Sequence, residues 1–224
     1  MQQKQMEDKV YFVELDEKIP FLTYEHLLQL LSTEKRERIW KFHFDADKKL
    51  SVVSDLLVRY LACNYLDVHN SKLRFETNEY GKPFLTGIPD FHYNISHTRN
   101  AIAVAVSRNP VGVDVEKIRE YEGGIVSRFF CQKEKFYIEN DNENASRRFY
   151  EVWTKKEAYV KWAGKGLSIP LNSFDVFDDE LSCCFETFEN RNYMISICKA
   201  DHIHVDFYYD IDEGSLYEKF NNLQ

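Results

Sequence analysis

The chain has 224 residues, 44% of them hydrophobic and 29% charged, with a formal net charge of −8. That size and balance suit a soluble globular protein, as one large domain or two fused small ones, and argue against general nucleic-acid binding. No apolar run approaches the ~18–20 residues of a membrane helix. The opening MQQKQMEDKVYF lacks the basic-then-apolar layout of a signal peptide, so the cytoplasm is the expected compartment.

Residues 10–15 read as a first strand. Residues 23–31 and 32–44 read as helices, the second with Ser32 as N-cap ahead of Arg36, Arg38 and Trp40. Residues 48–66 form the longest amphipathic pattern, with Leu50, Val53, Leu57, Leu61 and Tyr65 at helical spacing. A short strand over 73–75 and a turn over 79–83 follow. Residues 101–106 and 111–116 are β-rich runs joined by Ser107-Arg-Asn-Pro110, a good hairpin. Helices are expected over 125–140 and 145–163. Strands are expected near 174–176, 183–188, 193–199 and 205–209, and residues 210–224 either hold one more helix or fray. Helices followed by strands in each half give an α+β fold rather than a βαβ repeat.

Charge is uneven. Residues 1–105 carry 14 Lys and Arg against 15 Asp and Glu, and residues 106–224 carry 15 against 22. The acid excess lies in the second half, so an anionic ligand needs local basic groups or a metal. The five cysteines, Cys63, Cys131, Cys183, Cys184 and Cys198, fit no zinc spacing and read as reduced thiols.

Gly112-Val-Asp114-Val-Glu116 is the most informative segment. Two residues apart on a strand, Asp114 and Glu116 share a face at roughly 6.5–7 Å. Alone, this alternation fits an edge strand with one wet face as well as it fits a metal site. The alanine- and valine-rich hairpin leading into it makes the strand central, where two carboxylates need a counter-charge. Glu157 and Lys161 are four apart on a largely apolar helix and also share a face. Three carboxylates and a lysine suit a hard cation bridging phosphate oxygens. Ser96-His97 is no hydrolase pair, because neighbours on an extended segment point apart and no nucleophile elbow is present. Gly164-Lys-Gly166 lacks Walker spacing and reads as a helix stop.

These segments, with Tyr80-Gly-Lys82-Pro83, Tyr93-Asn-Ile-Ser96-His97 and Trp153-x-x-Lys156-Glu157-Ala-x-x-Lys161, occur in the order and spacing of a known family. The chain resembles the 4′-phosphopantetheinyl transferases, specifically the larger, pseudo-dimeric type that activates peptide synthetases. The resemblance runs over residues 10–173, and the last fifty residues match only loosely. It implies two similar α+β halves, divided here as 1–105 and 106–224, with the active site in the cleft between them. It implies coenzyme A as donor, a serine of an acyl or peptidyl carrier protein as acceptor, and release of adenosine 3′,5′-bisphosphate. Asp114, Glu116 and Glu157 are then expected to hold magnesium, with manganese as the alternative, and Lys161 to pair with the pyrophosphate. Lys35, Arg38, Ser51, Lys82, Ser96 and His97 are expected to grip the nucleotide, with Arg59 in support.

The resemblance leaves the general base open between Glu157 and Glu134, and it suggests carrier docking around Phe129 and Phe130. Leu50 stands where many members of this type carry a basic residue, and Lys48 or Lys49 is the expected substitute. A single-chain pseudo-dimer predicts a monomer without nucleic-acid or membrane partners. A non-catalytic binder of coenzyme A or of a carrier is the competing reading. A metal-dependent phosphohydrolase lacks the histidine pair that would activate water.

Overall fold

The structure, a computed structural model, describes residues 8–182, 185–200 and 207–223. Its strands are β1 (Lys9–Glu14), β2 (Phe75–Thr77), β3 (Pro83–Leu85), β4 (His92–Thr98), β5 (Ala101–Ser107), β6 (Gly112–Lys117), β7 (Phe185–Asn190), β8 (Tyr193–Cys198) and β9 (Phe207–Asp210). Its helices are α1 (Thr33–Trp40), α2 (Asp45–Leu66), α3 (Gly123–Phe129), α4 (Gln132–Glu139), α5 (Ala145–Ala163), α6 (Asp179–Ser182) and α7 (Glu213–Asn221). The strand expectation over 205–209 becomes β9; residues 205 and 206, like 183, 184 and 224, lie outside the described residues.

One sheet runs β4-β5-β1-β9 and a second β6-β8-β7, with β2 and β3 as a separate pair. All pairings are antiparallel except β1 with β9. β5 shows why the sheets stack. Ile102, Val104 and Val106 face a core under α2, while Ala101, Ala103 and Ala105 face the second sheet. Alternate residues of a strand point to opposite faces, so Ala-Ile-Ala-Val-Ala-Val presents a bulky face to the helix and a flat one to the other sheet. Val10 and Phe12 of β1 join Val113, Val115, Ile195 and Ile197 across that gap. Burying each such side chain contributes about 1.5–3 kcal/mol.

The chain's last elements return to its first half. β9 lies beside β1, and Leu216, Phe220 and Leu223 enter the core under α2. There the buried Lys49 pairs with Glu213 at 2.7 Å and also donates to the carbonyls of Asp16 and Ile19. Tyr24 donates to the same Glu213 oxygen, which leaves no charge in this pocket unpaired.

Residues 101–106 and 111–116 form no hairpin, since β5 pairs with β4 and β1 while β6 pairs with β8 at the edge of the second sheet, so the acidic strand is not central in its sheet. Two further sequence expectations fail for local reasons. The single helix over 125–140 is two, because Phe130 turns extended into the core and Glu134 caps α4 by accepting from the Cys131 N–H at 2.7 Å. No strand forms over 174–176. There the Phe174 carbonyl accepts from Lys156 and the Val176 N–H donates to Glu134, so side chains satisfy the backbone in place of a ladder. Residues 21–30 are helical as expected, but as a 3₁₀ segment.

Candidate active site

Gly112 brings the two halves of the site together. A Cβ there would sit 2.0 Å from the Ala158 carbonyl oxygen and 2.4 Å from the Trp162 nitrogen, so α5 lies directly on β6. This contact sets Glu157 and Lys161 beside the face of β6 that carries Asp114 and Glu116. Lys161 Nζ donates to Asp114 Oδ1 and to Ser96 Oγ, both at 2.7 Å, and Ser96 Oγ donates to Asp114 Oδ1 at 2.7 Å. Asp114 is buried, and its other oxygen, Oδ2, is enclosed without a hydrogen-bond partner.

β4 runs alongside β6, and polar side chains two apart stitch the seam. Asn94 Oδ1 accepts from the Val113 N–H at 2.9 Å, Ser96 reaches Asp114, and Thr98 Oγ1 donates to Glu116 Oε2 at 3.2 Å. Burial, followed by the Asp114 charge, pushes the Glu116 carboxyl up to about 7. The same two causes raise Glu157. Two glutamates held above their ordinary range by burial and by the neighbouring Asp114 charge would be favoured by additional positive charge.

Among the described residues no three His, Cys, Asp or Glu side chains are drawn together as a ready cation cage. The Lys161 ammonium supplies the local counter-charge instead. The orphaned Asp114 oxygen and the all-oxygen donor set nonetheless fit a hard divalent ion.

Next to the other face of β4 opens a cleft of about 570 Å³, lined by Lys35, Arg38 and Arg59 and by the acids Glu34, Asp55 and Glu76, with Phe75 and Tyr93. Ser32 caps α1 by accepting from the Lys35 N–H, and Lys35 pairs with Asp55 at 3.1 Å. Arg59 is buried, held by Asp55 at 2.9 Å and Asn70 at 3.0 Å, with its guanidinium 4.7 Å from the Phe75 ring centre. His97 keeps an exposed edge, yet the protein packed around it and then Lys161 push its imidazole below the ordinary range. Ser51 is half-buried on the stripe of α2 that also carries Asp47 and Asp55.

Other expected residues are engaged elsewhere. Lys82 donates to the carbonyls of Val111 and Trp162 at 3.1 and 3.2 Å, capping the end of α5, and burial pushes its ammonium down to about 8. Glu134 is fully buried, paired with Lys156 at 2.8 Å and accepting two backbone N–H groups. It lies away from the carboxylate cluster. Lys49 is committed to Glu213, and Lys48 pairs with Asp45 and covers the Phe21 and Trp40 rings, so neither substitutes at Leu50. Phe130 is core, while Phe129 is half-buried against Trp153. The residues that sequence reasoning passed over are Asn94, Thr98 and Asp55. For the first two the available signal was the polar alternation Asn94-Ile-Ser96-His-Thr98 in a strand bounded by apolar neighbours.

A buried aspartate, two half-buried glutamates, a lysine among them and a cleft that presents Lys35 and Arg38 are parts that phosphoryl transfer uses. Comparison with known proteins agrees. A model described as "4′-phosphopantetheinyl transferase, N-terminal" matches residues 21–109, and one described as "4′-phosphopantetheinyl transferase superfamily" matches residues 110–209. The 4′-phosphopantetheinyl transferase Sfp of Bacillus subtilis (strain 168) is 33% identical, over 94% of this chain and 99% of that protein. The 4′-phosphopantetheinyl transferase gsp of Aneurinibacillus migulanus is 35% identical over 74% of this chain and 70% of its own. A relative from Xenopus laevis, the L-aminoadipate-semialdehyde dehydrogenase-phosphopantetheinyl transferase, is 32% identical over 63% of this chain and 52% of its own. The chain belongs to the 4′-phosphopantetheinyl transferase family.

Proposed function

We propose that the protein moves the 4′-phosphopantetheine arm of coenzyme A onto a serine of an acyl or peptidyl carrier protein. The observation that carries this reading is the enclosed, unpartnered Asp114 oxygen beside Lys161 in a chain of this family. Lys35 and Arg38, together with His97 and Ser51, take the nucleotide and its 3′-phosphate, and Arg59 holds Asp55 and the cleft wall in place. Asp114, Glu116 and Glu157 are the residues that would hold a magnesium or manganese ion. When bound, that ion offsets pyrophosphate charge against the three carboxylates.

In the reaction the serine oxygen forms a bond to the phosphorus on the pantetheine side. The bond from that phosphorus to the bridging oxygen breaks, and adenosine 3′,5′-bisphosphate leaves with that oxygen. Lys161 faces the developing charge, and positioning with charge neutralisation supplies most of the catalysis. The serine proton passes to Glu157, since Glu134 is sealed by Lys156. Residues 1–105 supply the nucleotide grip and residues 106–224 the carboxylates, so one chain completes a site and the enzyme works as a monomer. Among the described residues no helix is long and apolar enough to cross a membrane, and we place the reaction in the cytoplasm.

The test is intact mass measurement of an apo carrier protein incubated with the enzyme, coenzyme A and magnesium. The expected result is a gain of one phosphopantetheine arm, abolished by chelator. Coenzyme A binding without any gain on several carriers would instead make the protein a binder.

A further inference from the structure

Two hydroxyls of β4 treat the two carboxylates of β6 alike. Ser96 takes one oxygen of Asp114 and leaves Oδ2; Thr98 takes one oxygen of Glu116 and leaves Oε1. The donors stand two residues apart on one strand, as do the acceptors on the next. Thr98 is well anchored for this task. It ends β4 opposite Ala101 across the tight turn Arg99-Asn100, and the Leu15 N–H fixes that turn by donating to the Asn100 carbonyl at 2.7 Å. Glutamate has one more rotatable bond than aspartate, so Glu116 gains more than Asp114 from a fixed donor.

We propose that Thr98, together with Ser96, is a positioning residue: each hydroxyl holds one carboxylate oxygen and aims the other at the divalent cation. The inference rests on the reading of Asp114 and Glu116 as cation ligands. Partners that orient metal ligands typically contribute 10–100-fold in metal affinity. Thr98 touches neither the reacting atoms nor the nucleotide in this account, so its effect is on metal binding before turnover.

The experiment titrates Mn²⁺ alone into the full chain, followed by electron paramagnetic resonance and calorimetry, with melting temperatures measured alongside. Thr98→Val is expected to weaken Mn²⁺ binding about 10–100-fold. Thr98→Ser, which keeps the hydroxyl, is expected to bind like the wild type, and Thr98→Ala replaces valine if valine disturbs packing. Wild-type affinity in Thr98→Val, with affinity lost in Glu116→Gln, would overturn the positioning role and leave the ligands standing. Weak binding in Thr98→Ser as well as Thr98→Val would trace the effect to packing and also overturn it. Unchanged Mn²⁺ binding in both Asp114→Asn and Glu116→Gln would remove the ligand reading itself.

Discussion

Gly112 and Ala158 meet backbone to backbone, with no room between them for a methyl group. Because the obstructing atoms belong to the α5 main chain, a side chain at 112 is accommodated only by moving the helix that carries Glu157 and Lys161. Gly112→Ala is expected to destabilise the protein by about 3 kcal/mol or more and to reduce turnover in the molecules that still fold. Urea unfolding together with activity per folded molecule checks both. A variant with wild-type stability would mean that α5 does not lie on β6 as described.

Lys161 stands at Asp114 as its counter-charge. Lys161→Met removes a positive charge from the place where a divalent ion is expected, so metal affinity without coenzyme A should rise. Turnover should fall about 10²–10³-fold, because the developing phosphate charge loses its partner. Opposite signs in the two measurements are the signature. A fall in both would show that the lysine supports the metal rather than standing in for it.

Glu134→Gln separates a structural acid from a catalytic one. Breaking one member of a buried ion pair costs about 3–5 kcal/mol, here through the uncompensated Lys156. Melting temperature should drop while turnover per folded molecule holds. Lost turnover at an unchanged melting temperature would return Glu134 to the list of bases.

Lys82 gives a pH signature away from the carboxylates. Its ammonium titrates near 8 when folded, below the ordinary lysine value of 10.5, because burial disfavours the charge. Between those values the unfolded chain binds more protons than the folded one, so this group's contribution to stability rises with pH across that window. The stability difference between wild type and Lys82→Met should therefore shift in favour of the wild type from pH 8 to pH 10.5, by at most about 3 kcal/mol. A difference that stays flat with pH would show an ordinary, hydrated lysine.

What the sequence made legible follows from which constraints are local. Asp114 and Glu116 were readable as a pair because strand geometry alone sets their face, and α5 because its pattern and its Gly164 stop are internal to the segment. The α3–α4 break was hidden, since it depends on Glu134 meeting Lys156 and Val176, partners 22 and 42 residues away in the chain. The same holds for Lys82 and Lys49. As isolated lysines they read as ligands for an anion, and only the fold shows the carbonyls and the carboxylate that already occupy them. Thr98 was passed over because a hydroxyl beside a histidine motif carries no charge to draw notice.

The return of β9 and α7 to the first half bears on how the chain is made. Emerging from the ribosome, residues 1–105 contain Lys49 and the open side of β1 but not yet Glu213 or the strand that lies alongside. A nascent first half therefore stays incomplete: its lysine lacks a counter-ion and β1 keeps a bare edge until residues 207–213 have been made. The first half waits for residues 207–221, and separating residues 1–105 from 106–224 would give two fragments that need each other rather than two modules.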